Sequence, residues 1–240
     1  MASFKAEGII LARTNYGEAD RIFTILTRDQ GKLSAIAKSV RRSGSRLGPH
    51  LESLTIVELM LAKGRKLDVI TSARLKTNFE NLRHDYERLR RAFLFSEMLN
   101  RLTTPHTSGA NYELLATVLK GLDDNLSPVL VELFFKLRLL DQLGYQPNLE
   151  QSVGSREEIT APKRFAFSVE AGSLVEAAGA TVANPDIGED HIKLWRLLLQ
   201  HPLDRVAAIG GVKAAAADSL PIANDFYDYL FGKRFKAAEI

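Results

Sequence analysis

Along the first part of the chain, hydrophobic and polar positions alternate with a period of two. Glu7 to Thr14 is an apolar-rich run and Ile22 to Thr27 a second. Lys32 to Lys38 is a third, with Leu33, Ala35 and Ala37 on one side. Thr55 to Leu61 places Val57, Leu59 and Leu61 together, and Leu67 to Arg74 makes a fifth run. Each is short and rich in β-branched or aliphatic residues, as strands are. Turn residues separate them: Asn15-Tyr16-Gly17, Arg28-Asp29-Gln30-Gly31 and Lys63-Gly64-Arg65-Lys66. The third and fourth runs are joined instead by a longer stretch carrying Arg41, Arg42, Gly44, Arg46, Gly48 and Pro49.

After about residue 78 the period becomes helical. Tyr86, Leu89, Phe93 and Leu102 share a face within Arg83 to Thr103, and Tyr112, Leu115, Leu119 and Leu122 repeat at helical spacing. Leu130, Leu133, Phe134, Leu137 and Leu140 form a third stripe, ended by Gly144 with Pro147 beyond it. Residues 148–180 lose this rhythm and are rich in Gly, Ser, Ala and Glu; it returns at Asp190 to Gln200 and from Ile222 to Phe231. The fold class read from this is α+β. Residues 1–80 are expected to form a five-stranded barrel of the oligonucleotide-binding (OB) or SH3-like type. Residues 81–240 are expected to form a helical domain with a small insertion over about 148–180.

Apolar content of 45 % and charged content of 25 % are those of a globular protein. No run of about eighteen apolar residues could cross a membrane, and Lys5 and Glu7 interrupt any signal peptide. With no cysteine there is no disulfide and no thiolate metal site. The expected location is the cytoplasm. The net charge of +3 hides an asymmetry: residues 1–80 hold fourteen Lys/Arg against eight Asp/Glu, and residues 81–240 eighteen against twenty-one. A basic front on a slightly acidic body implies a localised polyanion-binding surface.

The segment Lys38-Ser39-Val40-Arg41-Arg42-Ser43-Gly44-Ser45-Arg46 is the first candidate. Its cations can neutralise phosphates, and its hydroxyls and glycine-flanking N–H groups can donate to phosphate oxygens. A solvated surface loop is the other reading. Lys32, Lys63, Arg65 and Lys66 in neighbouring turns favour a binding surface. Aromatics there are few (Phe4, Tyr16 and Phe23), which points to a grip on backbone rather than a stacking platform. Glu18 and Asp20 read as parts of a structural turn. Histidines 50, 84, 106, 191 and 201 are too scattered for a metal site. No phosphate-loop, dinucleotide or nucleophile-elbow motif occurs, so no enzyme site is assembled. Phe134-Phe135-Lys136-Leu137-Arg138 reads either as core aromatics with a polar face or as a groove for an apolar-acidic peptide, with Phe135, Lys136 and Arg138 its contacts.

Tyr16-Gly17-Glu18-Ala19-Asp20-Arg21-Ile22, Gly31-Lys32-Leu33-Ser34-Ala35, Ala37-Lys38, Arg41-Arg42, Ser45-Arg46-Leu47 and His50-Leu51 together resemble the N-terminal domain of the bacterial DNA repair family RecO. The similarity continues to Leu82-Arg83 and resumes at Phe135-Lys136-Leu137-Arg138-Leu139-Leu140 with Gly144-Tyr145 and Pro147. The resemblance implies an N-terminal OB barrel followed by a helical domain, and no bond-making activity. It implies binding to single- and double-stranded DNA and strand annealing. It further implies action with RecR, often also RecF, in loading RecA onto DNA coated with single-stranded-DNA-binding protein, whose acidic C-terminal tail would be bound as well, and association with the nucleoid. Lys38, Arg41, Arg42 and Arg46 fall on the family's basic loop, where Ser39 replaces the usual glycine. Lys32, Arg65 and Lys66 extend the expected DNA contact.

Many members carry two Cys-x-x-Cys pairs that form a zinc-ribbon-like site. Here those positions read Ser152 and Ser155, then Val175 and Ala178, so no zinc and no other cofactor is expected. The alternative to DNA binding is a protein-interaction scaffold whose barrel contacts an acidic protein.

Overall fold

Strands with one apolar face must bury it, and five short ones can do so by closing on themselves. The computed structural model describes residues 2–105, 109–152, 165–176, 185–232 and 235. In it β1 (Ser3–Tyr16), β2 (Asp20–Thr27), β3 (Gly31–Ala37), β4 (Ile56–Ala62) and β5 (Asp68–Thr77) form a closed barrel in the order β1-β2-β3-β5-β4. All five predicted runs are strands. β1 is longer than its apolar run because it serves two partners, pairing with β4 from Ser3 to Ile9 and with β2 from Gly8 to Tyr16. Gly8 sits where the partners change. A Cβ there would come within 2.5 Å of Ile25 Cγ2, so only glycine lets β1 approach β2 this closely. The barrel closes through a short parallel contact of β3 with β5, Ala35 opposite Asp68 and Ile36 opposite Val69. Ile10, Phe23, Ile25, Ala35, Leu59 and Ile70 fill the interior.

Three helices follow: α1 (Glu80–Arg83), α2 (Tyr86–Leu102) and α3 (Ala110–Asp123). The Asp85 side chain caps α2 by accepting from the Arg88 N–H, satisfying one of the donors a helix start leaves open. These helices dock on the barrel: Ser96 Oγ donates to the Leu11 carbonyl at 3.0 Å, and Tyr112 Oη donates to Glu7 at 2.8 Å. The period changes near residue 80, while the compact units divide later, between Asp124 and Asn125.

The second unit is built around α4 (Pro128–Gln142), whose Val131, Leu133, Phe135, Leu137, Leu139 and Leu140 are all fully buried. A helix apolar on every side belongs in an interior. The stretch without helical rhythm supplies β6 (Asn148–Ser152), β7 (Phe165–Ser168) and β8 (Ser173–Glu176). With β9 (Asp186–Ile187) they form a sheet in the order β6-β8-β7-β9. Helices α5 (Glu189–Gln200), α6 (Leu203–Ala207) and α7 (Val212–Phe231) complete the unit. Phe167 packs edge-on against Trp195 and Phe226, with ring centroids 5.4 and 5.3 Å apart, which ties the sheet to α5 and α7. α7 begins well before the expected Ile222 because Pro221 does not break it. The carbonyl that Pro221 leaves without a donor belongs to Ala217, which is exposed and can be solvated. Among the described residues no helix is long and apolar enough to cross a membrane.

The barrel's contact with α3 centres on Glu7, whose side chain is 18 % exposed. Its carboxylate accepts from Lys76 Nζ, from Tyr112 Oη and, at 2.9 Å, from Arg28 Nη1. The Lys76 hydrogen bond, opposed by burial and helped by Tyr112 and Arg28, holds the carboxyl below its ordinary value of 4.5. A depressed carboxylate gives stability that is fully present above that ordinary value and lost as pH falls through the lower folded-state one. Glu7→Gln is therefore expected to cost about 1.5–3 kcal/mol at neutral pH. It should also remove part of the acid sensitivity below pH 4.5. Urea unfolding at pH 7 and through the acid range tests both; a variant as acid-sensitive as the parent would refute the assignment.

Candidate nucleic-acid interface

The chain leaves β3 at Ala37 into the basic segment, and backbone geometry sets its course. Ser39 takes a left-handed conformation at φ +52°. Its N–H donates to Asp20 Oδ1 at 2.7 Å. The next residue, Val40, turns its side chain into the barrel core and is 6 % exposed. Arg41 N–H donates to the Ala19 carbonyl at 2.9 Å, and Arg41 Nη1 to the Gly17 carbonyl at 3.3 Å. Further on, Gly44 supplies a second left-handed residue at φ +84°, and Gly48 N–H donates to Ser45 Oγ at 3.4 Å. Leu47 and Leu51 then return the chain to the core. The segment is thus tacked to the barrel by apolar side chains and to the β1–β2 turn by hydrogen bonds.

Lys38, Arg41, Arg42 and Arg46 all remain exposed on this frame. Among the described residues none of the four forms an ion pair. Several other cations of the barrel are neutralised: Arg13 by Glu52 at 2.7 Å, Arg28 by Glu7 and Glu113, Lys63 by Asp68 at 3.0 Å, and Arg74 by Glu58 at 3.1 Å. Asp20, in the turn to which this loop is fastened, accepts from the Ser39 N–H. It reads in sequence as a turn residue, and its spacing gives no hint that it anchors the cationic loop.

The remaining predicted contacts separate from this cluster. Arg65 and Lys66 are exposed in the β4–β5 turn, without an ion pair among the described residues. Because β5 runs parallel to β3, that turn projects back toward the start of β3, whereas Lys38 to Arg46 leaves from its end. Lys32 is a half-buried cation already engaged by the protein. Its ammonium donates to the Asn100 carbonyl at 2.6 Å and to that of Thr103, closing the C-terminal end of α2 where carbonyls lack helical donors. Burial lowers its pKa. From sequence Lys32 looks like a charge in a turn, because a helix some seventy residues on is invisible to local pattern.

The α4 residues proposed for a peptide groove are mostly interior. Phe135 is fully buried, and Lys136 is 7 % exposed. The Lys136 ammonium donates to Glu132 at 2.8 Å and to Asn224, and Tyr227 Oη donates to the Lys136 carbonyl at 2.9 Å. Neither residue can line a surface groove. Arg138 is partly exposed, lies over the Phe134 ring at 5.4 Å and donates through Nη2 to the His201 carbonyl at 3.0 Å. Burial lowers its pKa, and its buried Nε has no hydrogen-bond partner among the described residues.

The zinc-ribbon positions do not fit a metal. Ser152 ends β6 and Val175 lies in β8, neither offering a thiolate, while Ser155 and Ala178 lie outside the described residues. His106 and the Lys233-Arg234 pair lie outside them too. Among the described residues no group of three or more His, Asp or Glu is placed to hold a metal ion.

A closed five-stranded barrel with an unneutralised cationic loop at one end, followed by helices, defines an OB-type α+β protein. Residues 1–79 match the family described as Recombination protein O N terminal, and residues 83–239 the one described as Recombination protein O C terminal. The chain is 38 % identical over 181 residues to a DNA repair protein RecO of Heliobacterium modesticaldum, covering 73 % of this chain and 65 % of the relative. It is 34 % identical over 196 residues to the RecO of Bifidobacterium adolescentis, covering 80 % of each. It is also 34 % identical over 173 residues to that of Dehalococcoides mccartyi, covering 72 % of this chain and 68 % of the relative. The chain belongs to the RecO family of DNA repair and recombination proteins.

Two substitutions separate framework from interface. Lys32→Ala is expected to lower stability by about 1–3 kcal/mol while leaving the salt dependence of DNA binding unchanged; a flattened salt slope with intact stability would return Lys32 to the interface. Ser39→Gly relieves the left-handed strain at some entropic cost, and is expected to raise stability by up to about 1 kcal/mol in urea unfolding. A loss of stability would mean that the serine side chain itself holds the turn.

Proposed function

We propose that this protein is a DNA-binding recombination mediator that grips nucleic-acid backbone through Lys38, Arg41, Arg42 and Arg46. The observation that carries this reading is that four cations without an ion pair among the described residues stand together on one anchored loop, whereas Arg13, Arg28, Lys63, Arg74 and Lys76 of the barrel are paired. Phosphates condense counterions, and cations already held by carboxylates release few of them. Free cations on a loop that backbone hydrogen bonds hold in place can exchange those counterions without first breaking an ion pair. Such contacts fix position along a strand and leave base edges unread.

A backbone grip suits strand annealing. Two complementary strands need their charge screened and their base edges left open, and a grip on phosphates provides both. Family membership supports the wider assignment: the protein acts with RecR, and with RecF, to load RecA onto DNA coated with single-stranded-DNA-binding protein. No bond is made or broken in this work. Arg138, with its unpartnered buried Nε, is the α4 cation we assign to the acidic tail of the coating protein. Arg65 and Lys66 form a separate positive patch that a longer strand could reach.

The test is the triple variant Lys38→Ala, Arg41→Ala, Arg42→Ala. It is expected to weaken binding to unrelated single-stranded oligonucleotides about equally. It should also flatten the plot of log affinity against log salt by roughly 2, near 0.7 for each lost phosphate contact. Filter binding across a range of salt concentrations measures both. Unchanged affinity and slope would remove the grip and leave the barrel as a scaffold for an acidic protein.

A further inference from the structure

Of the three aromatics on the barrel strands, Phe23 is fully buried and Phe4 lies beneath the Lys63 ammonium, 4.4 Å from its ring. Tyr16 differs. It is 57 % exposed, and among the described residues it has neither a ring neighbour nor a hydrogen-bond partner. It stands at the end of β1, opposite Asp20, where the β1–β2 hairpin projects from the barrel and every residue from Arg13 to Glu18 is exposed.

This hairpin tip is also where the cationic loop is fastened. Asp20 accepts from Ser39 N–H, the Ala19 carbonyl from Arg41 N–H, and the Gly17 carbonyl from Arg41 Nη1. Arg21 Nε donates to Asn15 Oδ1 at 2.9 Å, bridging the two strands just inside the tip. Gly17, which follows Tyr16, takes a left-handed turn at φ +56°. The ring is therefore carried on a stiffened ribbon, one residue from a carbonyl that holds an Arg41 guanidinium. A large apolar ring kept in water beside phosphate-binding groups presents an open π-face to whatever the loop holds. Loops between the first two strands of an OB barrel are among those that meet oligonucleotides.

We propose that Tyr16 stacks on one unpaired base of the strand whose phosphates the loop grips, an inference that rests on the backbone-grip reading. Stacking is indifferent to base identity, because every base offers a π-face. It does require that face to be free of its neighbours. The cations alone treat single and double strands by charge; Tyr16 adds a preference for the open strand and loses its contact when that base enters a duplex. The ring thus favours release of the annealed product. With Phe4 and Phe23 withdrawn, the site takes one base and not a run of them.

The experiment uses the full chain and a fluorescein-labelled oligothymidylate, beside an oligonucleotide of equal length and charge made of abasic sites. In anisotropy titrations at fixed salt, Tyr16→Ala is expected to weaken oligothymidylate binding roughly tenfold, while Tyr16→Phe stays within about twofold of the parent. The abasic oligonucleotide should be bound alike by all three. Equal affinity of Tyr16→Ala and parent for oligothymidylate overturns the proposal, and so does an equal loss on the abasic strand, which would signal a disturbed loop. Tyr16→Trp gives a direct signal: its emission should be quenched by oligothymidylate and not by the abasic strand, and absence of quenching overturns the stacking. The protein's own tryptophan, Trp195, is fully buried. A flattened salt slope in the Lys38, Arg41, Arg42 triple variant together with an unaffected Tyr16→Ala would retain the grip and reject the stacking alone.

Discussion

Closure of the barrel through β3 and β5 dictates much of what the first unit can do. β3 has β2 on one side and must find β5 on the other, so the strand that follows it in sequence is not its neighbour in space. The chain therefore crosses the end of the barrel before β4 begins at Ile56. The other connections within the barrel join adjacent antiparallel strands and are tight turns. The crossing cannot be tight, and its backbone must find partners outside the ladders. It finds them in Asp20, Ala19 and Gly17 of the β1–β2 turn and in its own short turns at Arg42, Ser45 and Gly48. Topology thus creates a long exposed segment, and hydrogen bonding makes that segment definite.

Electrostatics then divides the cations by task. Arg13 faces a carboxylate of the connection before β4, Arg28, Lys63 and Arg74 face carboxylates on adjacent strands or a helix, and Lys32 closes a helix end. Exposed pairs of this kind contribute little to stability, but they cancel charge locally. Among the described residues, the densest group of cations without an ion pair lies on the crossing segment, with Arg65 and Lys66 facing the other way along β3. A nearly neutral protein can in this manner present a concentrated positive field at one place.

The second unit solves a different problem. Its sheet occupies the stretch where the family resemblance would place cysteines, and Phe167, Trp195 and Phe226 tie it to α5 and α7 by edge-to-face packing. α4 carries a buried Lys136–Glu132 pair, with Asn224 completing the ammonium's partners. A buried pair is tolerated only when its remaining donors are satisfied. That requirement explains why a lysine following two aromatics proves to be interior rather than a surface contact.

The sequence by itself determined the strand runs, the principal helices, the OB-type class and the basic segment, since these follow from periodicity, turn chemistry and local charge. The start of α7 escaped it, because the tolerance of Pro221 depends on whether Ala217 meets water. Tertiary structure alone decided which cations are free. Lys32 and Arg65 look equivalent in sequence, yet one is held by a helix end and the other is not. Lys136 looks exposed and is buried, and Tyr16 looks like one of three scattered aromatics and is the exposed one. Charge and size are properties of a residue, whereas availability depends on what the rest of the chain brings against it.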